Sequence, residues 1–194
     1  NNQLKKNLLF IILLGQMGAQ PGPYQQFLDY MNAKNGRIFE IEFYQEQFGK
    51  RFESNGTFFY LGKKHYTFDA LDQRITFNNG EITTINKVEK QVIYDQTIPG
   101  EITIFDILTG TSESLQTGEP LLEKNGFRIP FTLLDWEMHG TIRTIPGNGK
   151  PKEIILKTGD DSEIWIKIIS LDSIKGRGVA AIDLTKYETI DLRE

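Results

Sequence analysis

The sequence contains no cysteine and only two histidines, His65 and His139. The first absence excludes disulfide frameworks, thiolate zinc sites, iron–sulfur clusters and cysteine nucleophiles. The second excludes a three-histidine metal site. Basic excess is also missing: 22 Lys and Arg stand against 26 Asp and Glu, a net charge of −4. That argues against nucleic-acid binding, whose usual footprint is a strong positive excess. There is no Gly-rich phosphate loop and no Gly-x-Ser-x-Gly elbow. No repeat of fixed period and no low-complexity tract interrupts the chain. Its 194 residues and 39% apolar content fit one ordinary globular domain.

The one long apolar run is Leu8–Leu14. It follows Lys5-Lys6 and precedes Gly15, Gly18 and Ala19, the charged, apolar, small order of a secretory signal peptide. Seven residues are too few to span a bilayer as a helix. Residues 1–19 are therefore expected to be a cleaved signal and 20–194 a single exported domain. Loss of Lys5 and Lys6 takes the net charge from −4 to −6. No cysteine follows the run, so acylation of the chain itself as a bacterial lipoprotein is not expected.

What is present is a helix-period stripe followed by strand-period segments. Tyr24, Phe27, Leu28 and Met31 fall at i, i+3, i+4 and i+7, which predicts a short amphipathic helix after Pro21 and Pro23. Asn35-Gly36 is expected to end it. The period then changes to two. Phe39, Ile41 and Phe43 alternate along 37–44. Thr57–Leu61 is an aromatic run led by Gly56, and Gly62-Lys63-Lys64 is a turn. Strands are predicted over 65–69, 74–77, 81–85 and 91–95, with a type I′ hairpin at Asn79-Gly80. Ile104, Phe105 and Leu108 predict a second short helix, and Thr109–Gly118 a polar loop. Asn125-Gly126 signals another hairpin, after which Phe127, Ile129, Phe131 and Leu133 alternate. Strands over 152–157 and 163–169 flank a tight turn at 158–161. Val179–Asp183 is expected to be the last strand. Turn signals every 8–12 residues point to an antiparallel meander.

The 13 Phe, 7 Tyr and 2 Trp cluster toward residues 24–77. They make either a filled two-layer core or a curved sheet whose concave face keeps an apolar cavity. One other constellation stands out. On a strand, Asp135, Glu137 and His139 would share a face and could form an acid/base or metal site; the alternative is a solvated strand face.

The stretch 56–95 resembles the bacterial outer-membrane lipoprotein carrier family, LolA. The resemblance lies in Gly56-Thr57-Phe58-Phe59-Tyr60, Lys63-Lys64-His65-Tyr66-Thr67-Phe68, Asn79-Gly80, Ile85-Asn86 and Gln91-Val92-Ile93-Tyr94-Asp95. The end of the chain, Thr189-Ile190-Asp191-Leu192-Arg193-Glu194, is similar to the family's frequent Val-Asp-Leu-Arg-Glu. Gly62-Lys63-Lys64 stands where many members carry a lid-latching Arg.

What the resemblance implies is a mainly β (α+β) fold. A single curved antiparallel sheet would form an incomplete half-barrel, with one long N-terminal helix and short helices covering its concave face. It implies a monomeric, non-enzymatic periplasmic carrier without cofactor or metal. Acyl chains of lipoproteins would sit in its cavity, taken from an ATP-driven inner-membrane complex and passed to an outer-membrane acceptor. Alternation then assigns the lining to Phe43, Phe58, Tyr60, Tyr66, Phe68, Ile75 and Phe77, with Leu28 and Met31 as the lid. A one-residue slip would substitute Phe59 and Leu61 for Phe58 and Tyr60. Two other readings stay open: a different amphiphile-binding module on the same half-barrel, and an enzyme using Asp135, Glu137 and His139.

Overall fold

The computed structural model describes residues 21–47, 49–98, 103–110, 113–159, 162–172 and 178–193. The expected signal segment 1–19 lies outside the described residues, as do Asp160 and Asp161 of the expected turn.

Helix α1 runs from Pro23 to Met31 and buries Phe27 and Met31. Its pitch brings these two side chains onto one face, and Pro23 opens its first turn, where no backbone donor is needed. The helix stops four residues before the expected Asn35-Gly36 cap. Asn32 takes over instead: its backbone N–H and its Nδ2 both donate to the Leu28 carbonyl. Lys34 and Asn35 offer nothing to bury in a further turn. Gly36, at φ 66°, closes the following turn by donating to the Ala33 carbonyl.

Six strands then form a meander: β1 (Arg37–Gln47), β2 (Lys50–Gly62), β3 (His65–Ala70), β4 (Gln73–Asn78), β5 (Glu81–Asn86) and β6 (Gln91–Gln96). Asn79 and Gly80 join β4 to β5 at φ 52° and 93°, the positive pair that a type I′ turn demands. Strand β2 reaches seven residues further back than the aromatic run, because the polar stretch 50–56 pairs with β1 from Gln47↔Lys50 to Ile41↔Gly56. Helix α2 (Ile104–Thr109) starts at a capping box, in which the Thr103 hydroxyl accepts from the Asp106 N–H and the Asp106 carboxylate accepts from the Thr103 N–H.

The second half contributes β7 (Leu115–Thr117), β8 (Leu121–Glu123), β9 (Gly126–Leu133), a 3-10 turn (Leu134–Trp136), β10 (Met138–Thr144), β11 (Pro151–Lys157) and β12 (Ser162–Asp172). Part of the expected 109–118 loop is thus a strand. Glu123 pairs with Gly126, so Lys124 and Asn125, not Asn125-Gly126, are the two central residues of that hairpin.

The two meanders join where β1 pairs antiparallel with β12. The resulting order is β13-β6-β5-β4-β3-β2-β1-β12-β11-β10-β9-β7, with β8 also on β9. The sheet is open and mixed rather than wholly antiparallel. Its final strand is β13 (Glu188–Asp191), parallel to β6. The expected strand 179–183 has no ladder partner; the polar segment after it carries the pairing. In consequence the two stretches that carry the family resemblance meet. Thr189 lies opposite Val92, Ile190 opposite Ile93 and Asp191 opposite Tyr94.

Both helices lie on one face. A single buried cluster takes in Phe27 and Met31 of α1, Ile107 and Leu108 of α2, Tyr66 and Phe68 of β3, and Ile129, Phe131 and Leu133 of β9. Helix α1 meets β2, where Tyr60 reaches Asn32, and β9; from β2 to β9 is five strand steps, about 24 Å if flat at about 4.8 Å each. Helix α1 is only about 13 Å long. Both halves of the sheet reach it, so the sheet is strongly curled and the helices occupy its concave side.

On the convex side, residues 178–193 return across β4–β6. The buried Arg74 guanidinium donates Nη1 to the Ala180 carbonyl (2.7 Å) and pairs with the Asp69 carboxylate through Nε (3.0 Å) and Nη2 (2.8 Å). Lys87 Nζ donates to the same carboxylate (2.8 Å) and to the Ala70 carbonyl. Burial of Asp69 works to raise its pKa, but the hydrogen bonds and charges of Arg74 and Lys87 outweigh this and hold it below the ordinary carboxylate value. The stabilisation is therefore complete above the ordinary pKa and is lost as pH falls through the lowered one. Because Asp69 is partly exposed, solvent screening tempers the pair. Arg74→Ala is expected to cost about 2–3 kcal/mol in urea denaturation at pH 7. Asp69→Asn should lose stability at pH 7 yet decline less than wild type below about pH 4; parallel acid curves for the two proteins would disprove the assignment.

Candidate functional site

Cross-strand partners share a face, so register decides which side chains look inward. Phe39 lies opposite Phe58, Phe58 opposite Phe68, Phe68 opposite Ile75, Tyr66 opposite Phe77, and Phe77 opposite Ile82. This set faces the helices. The alternative set, Phe59 and Leu61, is on the convex side, where Phe59 lies opposite Thr67.

Helix α2 divides the concave space through one residue, Phe105. Its ring stacks on Phe58 at 5.2 Å and 10° and packs at 5.6 Å against Tyr66 and 5.7 Å against Phe68. On one side of this ring the space is full. Phe27, Met31, Phe39 and Phe58 are wholly buried there, and Tyr60 nearly so. Leu28, half-buried, touches Gly110 just beyond α2. Tyr60 reaches Asn32 at the end of α1 with its hydroxyl (3.5 Å).

On the other side of Phe105 lies a cavity of about 440 Å³, within the range of about 300–1,000 Å³ typical of small-molecule sites. Its walls are Phe43 of β1, Tyr66 and Phe68 of β3, Ile75 and Phe77 of β4, and Ile82 of β5. Thr103, Ile104 and Phe105 close it from the helix side. Its mouth is polar: Gln45, Glu53 and Ser54 from β1 and β2, Asp72 from the β3–β4 turn and Gln73 at the start of β4. Phe52 also lines it while remaining 59% exposed. Burial pushes the Tyr66 phenol upward, helped by the nearby Asp106 charge and opposed by a Thr103 hydrogen bond, and it pushes Tyr60 to about 12. Both phenols are neutral at physiological pH.

Of the expected lining, Phe43, Tyr66, Phe68, Ile75 and Phe77 surround the cavity. Phe58, Tyr60, Leu28 and Met31 lie in the packed part and do not border it. Sequence reasoning missed Phe105 as a wall, Phe52 at the mouth, and Ile82. The signals were available for two of them. Thr103-x-x-Asp106 places a helix start directly before Phe105, and a two-residue turn at Asn79-Gly80 puts Ile82 opposite Phe77. Lys63 and Lys64 are exposed in the β2–β3 turn.

The Asp135, Glu137 and His139 constellation is overturned. Asp135 sits in the 3-10 turn, Glu137 has left-handed backbone at φ 50°, and only His139 is on a strand. All three side chains are exposed to solvent. Among the described residues no group of His, Asp and Glu is arranged to hold a metal. Among the same residues no helix is long and apolar enough to cross a membrane.

No family model matches the chain, and no curated protein matches it. Solved structures do. An uncharacterized conserved protein from Thermus thermophilus superposes with a TM-score of 0.55 at 6% identity, covering 88% of this chain and 99% of that one. A LolA superfamily protein from Nitrosomonas europaea gives a TM-score of 0.45 at 7% identity, covering 81% and 93%. An outer-membrane lipoprotein-sorting protein domain from Vibrio parahaemolyticus gives 0.45 at 8%, covering 84% and 95%. These are likenesses of fold.

The division at Phe105 sets the expected behaviour of two variants. Phe58→Ala should cost about 3–5 kcal/mol, as for a buried ring removed from a packed core. Ile75→Glu, at a half-buried cavity wall, should keep the far-UV spectrum and most of the stability but abolish enhancement of an apolar fluorescent probe. Probe binding by folded Ile75→Glu equal to wild type would remove the cavity from consideration.

Proposed function

We propose that the protein is a periplasmic carrier that holds acyl chains of lipoproteins in the concave cavity and shuttles them from the inner to the outer membrane. The observation that carries this reading is the unfilled half of the concave face. Its walls are apolar, its mouth is polar, and its Tyr66 phenol is neutral. The family resemblance over 56–95 and 189–194 supports it, since those stretches build the strands forming much of the cavity wall and the strand that guards their edge. Partners by this reading are the ATP-driven complex that releases lipoproteins and an outer-membrane acceptor, met by a monomer.

The energetic demand on such a carrier is definite. Burying a methylene gains about 0.8 kcal/mol, so a chain of about fifteen gains roughly 12 kcal/mol in the membrane. A wall of aromatic and branched side chains can match that without catalytic groups. Incubated with membranes bearing triacylated lipoprotein, the protein should yield a soluble carrier–cargo complex in native mass spectrometry, and Ile75→Glu should not. Absence of any complex with wild type, where an authentic carrier gives one, would refute lipoprotein transport.

A further inference from the structure

Strand direction sorts the charges of the turns. Because neighbours run antiparallel from β6 to β9, every second turn falls at the same end of the sheet. At the end where β1 begins, these turns are 32–36, 63–64, 79–80, 124–125 and 145–150. They hold five lysines, Lys34, Lys63, Lys64, Lys124 and Lys150, and no Asp or Glu. At the other end the turns are 48–49, 71–72, 87–90, 134–137 and 158–161, and in the sequence they hold two lysines against six carboxylates. A chain that is acidic as a whole thus keeps one basic rim.

The rim is not neutralised by its surroundings. None of its five lysines takes part in an ion pair among the described residues. Lys34, Lys63, Lys64 and Lys124 are exposed. Glu123, next to Lys124, is paired with Arg128 at 3.1 Å. The stretch 173–177, which follows Asp172 at this end of β12, contains Lys175 and Arg177 and no carboxylate. Two of the basic tips also carry apolar side chains turned to solvent. Leu61 stands beside Lys63-Lys64, and Leu121 and Leu122 beside Lys124, with Leu122 74% exposed. Lysine next to exposed leucine is the composition of a surface that rests on a lipid interface. A folded acidic partner would need carboxylates spaced along the whole rim and a socket for each leucine tip. An anionic bilayer offers a continuous plane of phosphates with an apolar layer beneath it.

We propose that this rim docks the protein reversibly on an anionic phospholipid bilayer, its lysines at the phosphates and Leu61 and Leu122 in the interface. Asp72 and Gln73 of the cavity mouth belong to the opposite, acidic rim, so a docked molecule keeps them turned from the lipid. The proposal does not depend on what the cavity holds.

The test uses residues 20–194, free of the lysines and apolar run of 1–19. Co-sedimentation is measured with vesicles of phosphatidylglycerol and phosphatidylethanolamine in equal parts, and with vesicles of phosphatidylcholine. The anionic vesicles should bind the protein at about 50 mM NaCl and release it at about 500 mM, where screening shortens the reach of each charge. Phosphatidylcholine should bind none. Lys63→Gln with Lys64→Gln should weaken binding about 25-fold, fivefold for each lysine. Lys50→Gln with Lys157→Gln removes the same charge from the opposite rim and should change it less than twofold. Both double variants alter exposed side chains and should keep the circular dichroism of wild type. No binding of wild type to anionic vesicles, equal binding to phosphatidylcholine, or equal loss in the two double variants would overturn the proposal. Retention on immobilised poly-glutamate without binding to vesicles would also overturn it, and would assign the rim to an acidic polypeptide.

Discussion

Everything in this structure follows from an imbalance between a wide apolar face and the little that covers it. Thirteen strands present alternating side chains, so one whole face of the sheet must find shelter. The described cover is two helices of nine and six residues. A flat sheet would leave much of that face wet. Curling lets β3 and β9, six strand steps apart in the order, share the same two helices. Even so the cover is incomplete. Past Phe105 the described residues offer only Thr103 and Ile104 as cover, and the concave space among them stays open. The cavity is thus a consequence of how much helix is available, and its position is a consequence of where α2 begins.

That origin explains what could and could not be read from the residues in order. The inward set was legible, because a period of two and tight turns fix register: Phe39, Phe58, Phe68 and Phe77 all face the helices. The division of that set was not. Phe58 and Phe68 sit on adjacent strands in the same alternating pattern, yet one is sealed under α2 and the other borders open space. The difference is made by Phe105, far along the chain. Where the periodicity argument failed outright, the backbone had left the sheet. Asp135 and Glu137 would share a face with His139 on a strand, but a 3-10 turn and a left-handed residue intervene. The reverse error occurs in 50–56 and 188–191. Those stretches are polar and carried no strand expectation, yet ladder pairing with β1 and β6 makes them strand, overriding local preference.

The two faces divide their chemistry cleanly. Charge and hydrogen bonding gather on the convex side, where Arg74, Asp69 and Lys87 hold the returning C-terminal segment, and where Arg193 lies over the Tyr94 ring at 5.0 Å while pairing with Asp191. The concave side keeps its few hydroxyls neutral and confines its carboxylates to the mouth. Such a separation lets the molecule anchor its own chain firmly while leaving the apolar wall free to take a guest. It also blunts one sheet edge, since β13 occupies the side of β6 that would otherwise offer unpaired backbone to another chain.

The seam between β1 and β12 has a further meaning when the molecule is considered in time rather than in space. Glu42 and Lys167, paired across it at 3.3 Å, stand 125 residues apart in the chain. The two meanders on either side are local and can zip from their own hairpins. The seam cannot form until nearly the whole polypeptide exists, and closing so long a loop carries a large entropic cost before any contact rewards it. The joining of the two meanders is accordingly a late event for the folding chain. A chain interrupted before β12 would hold its hairpins and the elements that wall the cavity but lack the join between the two halves, which makes the closed concave core, rather than the pocket, the report that synthesis has reached its end.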